Sequence, residues 1–345
     1  MFWKLATITC ASALLVTAQK DGPAAKLNAN PTDTSNPRLN GKLFPYDQIP
    51  YQADTSPPTT NPIYRGPQAG YNVCNDTTAG PGSMCQTVIV NSIEDFCLFA
   101  PNKLSDVGSA EHDVVAWCTK PTHGARLIPE GTLTGVQFLR APSYVAVIGF
   151  IKQENINVKK GDGGGELDSG GQDLRGNPVG GLAYSENLPS TPGTMTQSRI
   201  WHEFIGSNMF CMKYCDDKAP NASGICRHTL DTIGCFANVR ATYRDNVFLS
   251  CDSEDQGPVE VGVTDAPQSS QCTTFTSSVI YAVSTSTTAT ATPTDTPGGS
   301  QSGGSSTTSG GSNPSQTPGG GASMRAQAPF VALAVVALFF GAVFA

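Results

Sequence analysis

The chain is 345 residues long and acidic, with a formal net charge of −7. It contains no cluster of basic residues, which argues against a nucleic-acid-binding protein and against attraction to an anionic membrane surface. Its length would allow two domains, but long segments rich in proline, serine, threonine and glycine leave room for about one.

The first 18 residues have the three parts of a secretory signal peptide. Lys4 supplies the positive charge, residues 5–16 the apolar core, and residues 16–18 (VTA) the small-residue cleavage site. This pattern predicts a mature chain that begins near Gln19, and a buried N-terminal helix is the alternative. Residues 19–70 contain many prolines and little apolar periodicity, so they are predicted to form an extended or disordered arm.

Cysteine usage predicts an oxidising compartment. Of the 11 cysteines, Cys10 falls within the signal peptide, and the even set that remains suggests five disulfides. The set contains no CxxC pair and no histidine at zinc-finger spacing, which makes a structural zinc site the weaker interpretation. The predicted disulfide cysteines are Cys74, Cys85, Cys97, Cys118, Cys211, Cys215, Cys226, Cys235, Cys251 and Cys272.

Two sequons predict N-glycans on surface loops. They are Asn75-Asp76-Thr77 and Asn221-Ala222-Ser223, which makes Asn75 and Asn221 the candidate glycosylation sites. Two further asparagines, Asn30 and Asn313, are excluded because a proline follows each of them.

Residues 71–265 are predicted to form a single disulfide-rich α+β domain flanked by disordered arms. Its first half contains short apolar runs rich in β-branched and aromatic residues, which are typical of strands. A capping-like sequence, residues 92–95 (SIED), suggests a short helix near Cys97. The predicted strand runs are residues 87–90, 114–117, 136–139 and 144–151.

The second half of the domain is predicted to contain a helical hairpin. Apolar residues recur at helical spacing in residues 200–205 and 225–233, and Gly234 would end the second helix. Cys211 and Cys215 would share one face of a helix. An antiparallel hairpin of residues 209–216 and 224–233 would pair Cys215 with Cys226 and Cys211 with Cys235.

The glycine-rich residues 161–181 are the most conspicuous candidate for a ligand site. Carboxylates on such a loop can bind calcium, and this stretch contains Asp162, Glu166, Asp168 and Asp173. The spacing matches neither an EF-hand nor the nonapeptide calcium repeat, so a solvated loop with several turns is the alternative. The sequence predicts no metal site and no cofactor.

No catalytic motif is evident. The chain lacks a GxSxG serine elbow and a histidine pair of the helical zinc-protease type, and the cysteines are assigned to disulfides. His202 is interpreted as a packed, hydrogen-bonded side chain. Glu203, Asp216, Asp217 or the loop acids could supply the paired carboxylates of a glycosidase, but their separation cannot be read from the sequence. No catalytic residue is therefore predicted.

The C-terminal part predicts a stalk and a lipid-anchor signal. Residues 266–323 are rich in serine, threonine, glycine and proline, which is typical of an O-glycosylated stalk. Residues 324–345 combine a short spacer with an uncharged apolar tail and fit a removable GPI-anchor signal, with Gly319, Gly320 and Gly321 as attachment candidates. A membrane span is the alternative, although Arg325 lies on the wrong side of the tail for one.

Several short runs between residues 71 and 265 resemble those of fungal GPI-anchored mannoproteins, labelled immunoreactive mannoprotein or macrophage-activating glycoprotein. The resemblance implies a mannosylated protein anchored through its GPI lipid in the outer leaflet of the plasma membrane or transferred to the cell wall. Cell-wall polysaccharide and host glycan receptors are the further partners it suggests, and it transfers no catalytic residues. The runs include residues 71–75 (YNVCN), 95–101 (DFCLFAP), 115–120 (VAWCTK), 123–129 (HGARLIP), 174–178 (LRGNP) and 204–207 (FIGS).

The sequence thus predicts a non-enzymatic surface glycoprotein that displays a disulfide-rich domain on a stalk and is recognised by host immunity through its glycans. A surface-tethered carbohydrate-active enzyme or a glycan-binding module is the alternative. The 161–181 loop and Glu203 would then be its candidate residues.

Overall fold

Thirteen short strands dominate the computed structural model, which describes residues 39–56 and 64–281. Because β-branched and aromatic residues fit a pleated, half-buried surface, the apolar runs of this chain favour strands. The strands are β1 (Thr87–Ile89), β2 (Cys97–Ala100), β3 (Val115–Cys118), β4 (Arg126–Leu127), β5 (Leu133–Arg140), β6 (Tyr144–Ile151), β7 (Gly165–Asp168), β8 (Leu182–Ser185), β9 (Thr196–Ser198), β10 (Ile200–Gly206), β11 (Met209–Cys215), β12 (Phe248–Ser253) and β13 (Ser269–Thr274).

The strands form three sheets. The large sheet has seven strands in the order β13-β12-β5-β6-β11-β10-β7, and the two smaller sheets have the orders β1-β8-β9 and β2-β3-β4. Neighbours in the large sheet are antiparallel except for β12, which pairs with β5 in parallel. The four strand runs predicted from the sequence coincide with β1, β3, β5 and β6.

The α-helices of the described residues have only four or five residues each. They are α1 (Val107–Ala110), α2 (Ala222–Ile225), α3 (Cys235–Asn238) and α4 (Ser277–Tyr281). None of the helices between residues 39 and 56 or between 64 and 281 has the length and hydropathy of a membrane span. The predicted α+β fold class is therefore wrong, because β-sheet is the dominant regular structure of the described chain.

The predicted helical hairpin of the second half is also wrong, since residues 200–215 form a β-hairpin. β10 and β11 pair along their whole length, and Ser207 and Asn208 in the turn both have positive φ, as a two-residue hairpin turn requires. Trp201 and Ile205 pack on one side of β10, whereas Phe204 packs on the other. A strand that buries both faces produces an apolar spacing that also fits a helix.

The short helix predicted near Cys97 is absent for a related reason. The Ser92 hydroxyl accepts hydrogen bonds from the backbone amides of Glu94 and Asp95, at 3.1 Å each, so the capping turn does form. The chain then enters β2, because residues 97–100 pair with β3. The capping turn thus precedes a strand.

The hydrophobic core lies between the large sheet and the two small sheets. Phe96 stacks on Phe210 with ring centroids 6.1 Å apart, and Phe99 packs on Trp201 at 5.4 Å. Two sheets that bury facing apolar side chains in this way form a sandwich. The other face of the large sheet is covered by residues 216–245, which we call the covering segment.

Five disulfides join all ten predicted cysteines. Cys211 bonds to Cys235 and Cys215 to Cys226, so the nested pairing predicted from the sequence is present, although on a strand and not on a helix. Residues i and i+4 share a face in a helix and in a strand, so the predicted pairing is present although the element is a strand. The other pairs are Cys74–Cys85, Cys97–Cys118 and Cys251–Cys272.

The fold extends beyond residues 71–265 at both ends. Leu39 and Ala53, from the predicted arm, are buried in the main core, and the Leu39 amide donates to Leu174 O at 2.8 Å. At the other end, β13 pairs with β12 and Ile280 is fully buried. The predicted signal peptide, anchor signal and attachment residues, with the rest of the arm and stalk, lie outside the described residues.

Candidate functional site

A row of ionisable side chains crosses three neighbouring strands on the covered face of the large sheet. Lys213 on β11, His202 on β10 and Asp168 on β7 lie opposite one another in the strand register, so their side chains project to the same face. Glu166, two residues before Asp168, projects to that face as well. All four are at least 96% buried, which is rare for such groups unless they are paired. We call these four residues the buried row.

Glu166 and His202 form a hydrogen-bonded pair within the buried row, with Oε1 and Nδ1 3.1 Å apart. Burial raises the pKa of Glu166 well above its usual value, and the charge of Asp168 adds to the effect. Burial also lowers the pKa of His202 well below its usual value, assisted by the charge of Lys213. Both groups therefore favour their neutral forms, and the carboxylic acid donates to the imidazole.

Lys213 is held by the covering segment. Its Nζ donates to Asn238 O at 2.6 Å and lies 5.5 Å from the centroid of the Tyr144 ring. Burial lowers the pKa of Lys213 well below its usual value, and the charge of Arg240 lowers it further. Asn238 is the last residue of α3, so the Lys213 side chain meets a backbone carbonyl at the end of a helix, where carbonyls lack partners within the helix.

Asp168 organises the glycine-rich loop. Its Oδ1 accepts hydrogen bonds from the backbone amides of Gly170 and Gly171, the latter at 2.6 Å, and lies 3.5 Å from His228 Nδ1. A Cβ at Gly170 would lie 2.4 Å from His228 Cε1, so a side chain there would displace the imidazole. The glycine at this position therefore lets His228 approach the carboxylate.

The other acids of the loop have separate partners. Asp162 Oδ2 accepts from the Val107 amide at 2.8 Å, and Asp173 pairs with Arg65 and Arg175. Within residues 39–56 and 64–281, no group of three or more histidine, cysteine, aspartate or glutamate side chains is arranged to hold a metal ion. The geometry gives the calcium interpretation no support.

A buried ion network ties the N-terminal residues to the same loop. The Arg175 side chain is 1% exposed, and its guanidinium donates to Asp54 Oδ2 at 2.5 Å and to Asp173 Oδ2 at 3.2 Å. The Tyr64 ring lies over that guanidinium, 4.5 Å away. Arg65 binds the other Asp173 oxygen at 2.5 Å. Residues on both sides of positions 57–63 thus hold the loop in place.

Glu111 is a further carboxylate beside the buried row. Its Oε2 accepts from Asn177 Nδ2 at 3.3 Å. Burial, with the charges of Asp231 and Asp168, raises the pKa of Glu111 to about 7. Acidic groups therefore converge from α1, β7 and the covering segment on one region of the structure.

A polar cavity of about 420 Å³ opens next to the buried row, where the glycine-rich loop, the start of β10 and the covering segment meet. Arg199 and Arg227 give its wall a cationic character, and Asp217 is the one acid among the described residues that line it. The remaining lining residues are Asn40, Ser169, Ile200, Ser223 and Thr229.

Three of the acids proposed for glycoside hydrolysis, Glu203, Asp216 and Asp217, have separate partners. Glu203 points into the main core, where its Oε2 accepts from the Phe99 amide at 2.9 Å. Asp216 binds the hydroxyl of Ser190 at 2.9 Å, and Asp217 pairs with Arg199 at 2.5 Å. Each carboxylate is already bonded to a protein donor.

Both predicted N-glycosylation sites are exposed. Asn75 Oδ1 accepts from the Thr77 amide at 2.9 Å and from its hydroxyl at 2.7 Å. Asn221 caps α2, and Ser223 of its sequon lines the polar cavity. A glycan on Asn221 would therefore stand at the rim of that cavity.

Sequence analysis did not identify five ionisable residues of this region, because they are far apart in the chain. Only one of them carried a local signal: Lys213 is the single charge within the apolar run 209–215 (MFCMKYC), where a strand interior would normally exclude it. The five residues are Glu111, Arg199, Lys213, Arg227 and Asp231.

Two curated fungal proteins, both from Mycosarcoma maydis, are similar to the chain. Appressorium protein ROW1 is 40% identical over 220 residues, which cover 60% of this chain and 51% of the relative. Appressorium protein ROW2 is 36% identical over 196 residues, which cover 55% of this chain and 66% of the relative. The chain thus resembles fungal appressorium proteins.

The similarity has clear limits. The chain spans about half of the first relative and somewhat less than two thirds of the second. No protein-family model matches it, and no solved structure shows a significant match.

Proposed function

We propose that this chain is a secreted fungal surface glycoprotein that displays its disulfide-bonded β-domain outside the cell, in association with the appressorium. The observation that carries the proposal is the set of five disulfides, which joins all ten cysteines of the described residues. Structural disulfides persist outside the cell and are rare in the cytosol. The names of the two relatives supply the link to the appressorium.

Attachment to the cell surface is the second part of the proposal. The Ser/Thr-rich residues and the apolar tail support a glycosylated stalk with a GPI anchor at Gly319, Gly320 or Gly321. The outer leaflet of the plasma membrane, or cell-wall polysaccharide after transfer, would be the immediate partner. The resemblance to immunoreactive mannoproteins supports mannosylation and recognition by host glycan receptors.

The domain would act by display and not by catalysis. Glycosidases place two carboxyl groups on opposite sides of a substrate, roughly 5–10 Å apart. Glu203 is buried in the core, and Asp216 and Asp217 are bonded to Ser190 and Arg199, so these three acids are not free to form such a pair. The geometry favours display over glycoside hydrolysis.

Surface labelling of a fungus that expresses the tagged full-length chain tests the proposal. We expect the tag to be accessible on intact cells, and we expect non-reducing peptide mapping to recover the five cystine pairs without free thiols. Endoglycosidase treatment should change the mobility by two steps, one lost in Asn75→Gln and one in Asn221→Gln. Cytosolic, thiol-containing protein would overturn the proposal.

A further inference from the structure

We propose that the polar cavity binds an acidic saccharide, through the carboxylate and the hydroxyl groups of a uronic acid residue. The inference goes beyond surface display and does not depend on how the chain is anchored. It begins with charge: the lining contains two arginines, Arg199 and Arg227, and one acid, Asp217, on a chain whose net charge is −7. A local cationic wall on an acidic protein favours an anionic ligand.

Both arginines are held in a way that leaves their outer ends available. Arg199 donates from Nε to Asp217 Oδ2 at 2.5 Å, and its backbone amide donates to the other oxygen of the same carboxylate at 3.0 Å. Arg227 donates from Nε to Thr229 Oγ1 at 3.0 Å. The two terminal nitrogens of each arginine make no hydrogen bond to any other described residue. A guanidinium fixed through Nε presents its terminal nitrogens as a fork that matches a carboxylate.

Two further groups in the wall are positioned for a polar ligand. His228 directs Nδ1 towards Asp168 at 3.5 Å, which leaves Nε2 on the far side of its ring. The Ser169 side chain is buried, and its hydroxyl has no hydrogen-bond partner among the described residues. An unsatisfied buried hydroxyl costs free energy unless a ligand or water completes it. The cavity therefore offers donors and acceptors beyond the arginine forks.

The remaining wall indicates a ligand rich in hydroxyl groups. Asn40, Ser223 and Thr229 add neutral hydrogen-bonding side chains, whereas Ile200 is the only apolar residue, and no Phe, Tyr or Trp occurs, among the described residues that line the cavity. A volume of about 420 Å³ is within the range of small-molecule sites and far exceeds the needs of a single inorganic anion. Size, charge and hydroxyl groups together fit an acidic sugar better than a lipid or a bare phosphate.

Calorimetric titration of the secreted full chain with digalacturonate tests the inference. Galactobiose, its neutral counterpart, and inorganic phosphate serve as comparison ligands. We expect digalacturonate to bind at least tenfold more tightly than either, and we expect the affinity to fall with increasing salt. Absence of digalacturonate binding, or equal affinity for galactobiose, would overturn the inference. If phosphate bound as tightly as digalacturonate, the cavity would be a simple anion site, and this result would also overturn the inference.

Variants assign the binding to the cavity. Arg227→Gln removes a guanidinium that is exposed and makes a single side-chain hydrogen bond, so the fold should be unaffected while affinity falls about tenfold. Arg140→Gln is the matched control, because Arg140 is an exposed arginine that pairs with Asp252 and is not among the lining residues of the cavity. Equal affinity in Arg227→Gln and wild type would contradict the assignment. Melting temperatures measured alongside exclude misfolding as the cause.

The sequon at the rim adds a second variant. Asn221→Gln should leave affinity unchanged or increase it, because a glycan next to Ser223 would narrow the entrance. Loss of digalacturonate binding in this variant would mean that the glycan itself forms the site, and would contradict recognition by the arginines.

Discussion

Lys213 illustrates what the buried ionisable side chains contribute. A fully buried ammonium group is costly, and this cost is offset only if partners meet it with good geometry. Here Asn238 O accepts from Nζ at 2.6 Å, and the acceptor belongs to the covering segment. We infer that the buried row fixes where the covering segment docks, since another position would leave the Lys213 nitrogen without this carbonyl acceptor.

The pH dependence of stability tests the environment of Glu111, a carboxylate beside the buried row. Burial, with the charges of Asp231 and Asp168, raises its pKa to about 7, so the folded state favours the neutral acid. This contribution to stability is complete below the unfolded pKa and is lost as the pH rises towards 7. Because Gln imitates the neutral acid, we expect Glu111→Gln to be about 1 kcal/mol more stable than wild type at pH 8, after discounting for solvent screening, and equally stable near pH 4.

Urea unfolding of both proteins at pH 4, 6 and 8 measures this difference. The lowered pKa of His202 acts in the opposite direction below pH 6.5, but it is present in both proteins and cancels in the comparison. Glu154→Gln, at an exposed position, is the control for the substitution itself. A pH-independent difference between Glu111→Gln and wild type would show that the pKa of Glu111 is not raised in the folded protein.

Two adjacent glycines of the loop differ in how much space a side chain would have at their positions. A Cβ at Gly164, where φ is +95°, would lie 2.3 Å from Ile205 O, whereas a Cβ at Gly163 meets nothing within 4 Å. We expect Gly164→Ala to lower the free energy of unfolding by about 2 kcal/mol or more, through strain and overlap. Gly163→Ala should stay within about 0.5 kcal/mol of wild type. Equal effects in a denaturant titration would refute this placement of the loop.

Among the elements, the covering segment depends most on covalent links. It contains only α2 and α3 as regular structure, and two disulfides connect it to β11. Few backbone hydrogen bonds within the segment would resist local opening if those links were removed. The disulfides therefore substitute for the secondary structure that the segment lacks.

Paired cysteine variants test this dependence. Cys215 and Cys226 are 11 residues apart, and so are Cys74 and Cys85, which gives both links the same loop-closure term of about 3 kcal/mol. We expect each double alanine variant to lose stability of this order. Only the Cys215/Cys226 variant should also show faster amide exchange across residues 219–239, since its link holds that segment. Equal exchange in both variants would indicate that packing alone retains the covering segment.

Sequence reasoning predicted some elements of this fold and missed others for identifiable reasons. The even cysteine set predicted the disulfides, and the Cys211/Cys215 spacing gave the correct pairs because i and i+4 share a face in a strand as in a helix. The same ambiguity made Ile200–Gly206 look helical. The cavity could not be predicted, because Arg199 and Arg227 meet His228 and Asn40 only through tertiary contacts.

At the scale of the whole molecule, the disulfide-bonded domain and the proposed anchor signal are separate parts of the chain. Deleting residues 329–345 should release the chain into the medium, because the proposed anchor signal would be lost while the domain keeps its five disulfides. Immunoblots of medium and cell fractions measure the outcome. A deletion of equal length within residues 300–316 should leave the protein on cells. Retention of both variants would count against a lipid anchor in this tail.

The strand register also shows which features lie at each end of the large sheet. Tyr281, where the described chain ends, accepts a hydrogen bond from the Leu133 amide at 2.9 Å, at the start of β5. Ile200, in the cavity wall, aligns through Cys215 with Tyr144, at the start of β6 and therefore near the opposite end of β5. An eight-residue strand is about 25 Å long. The last described residue and the cavity wall therefore lie near opposite ends of the large sheet.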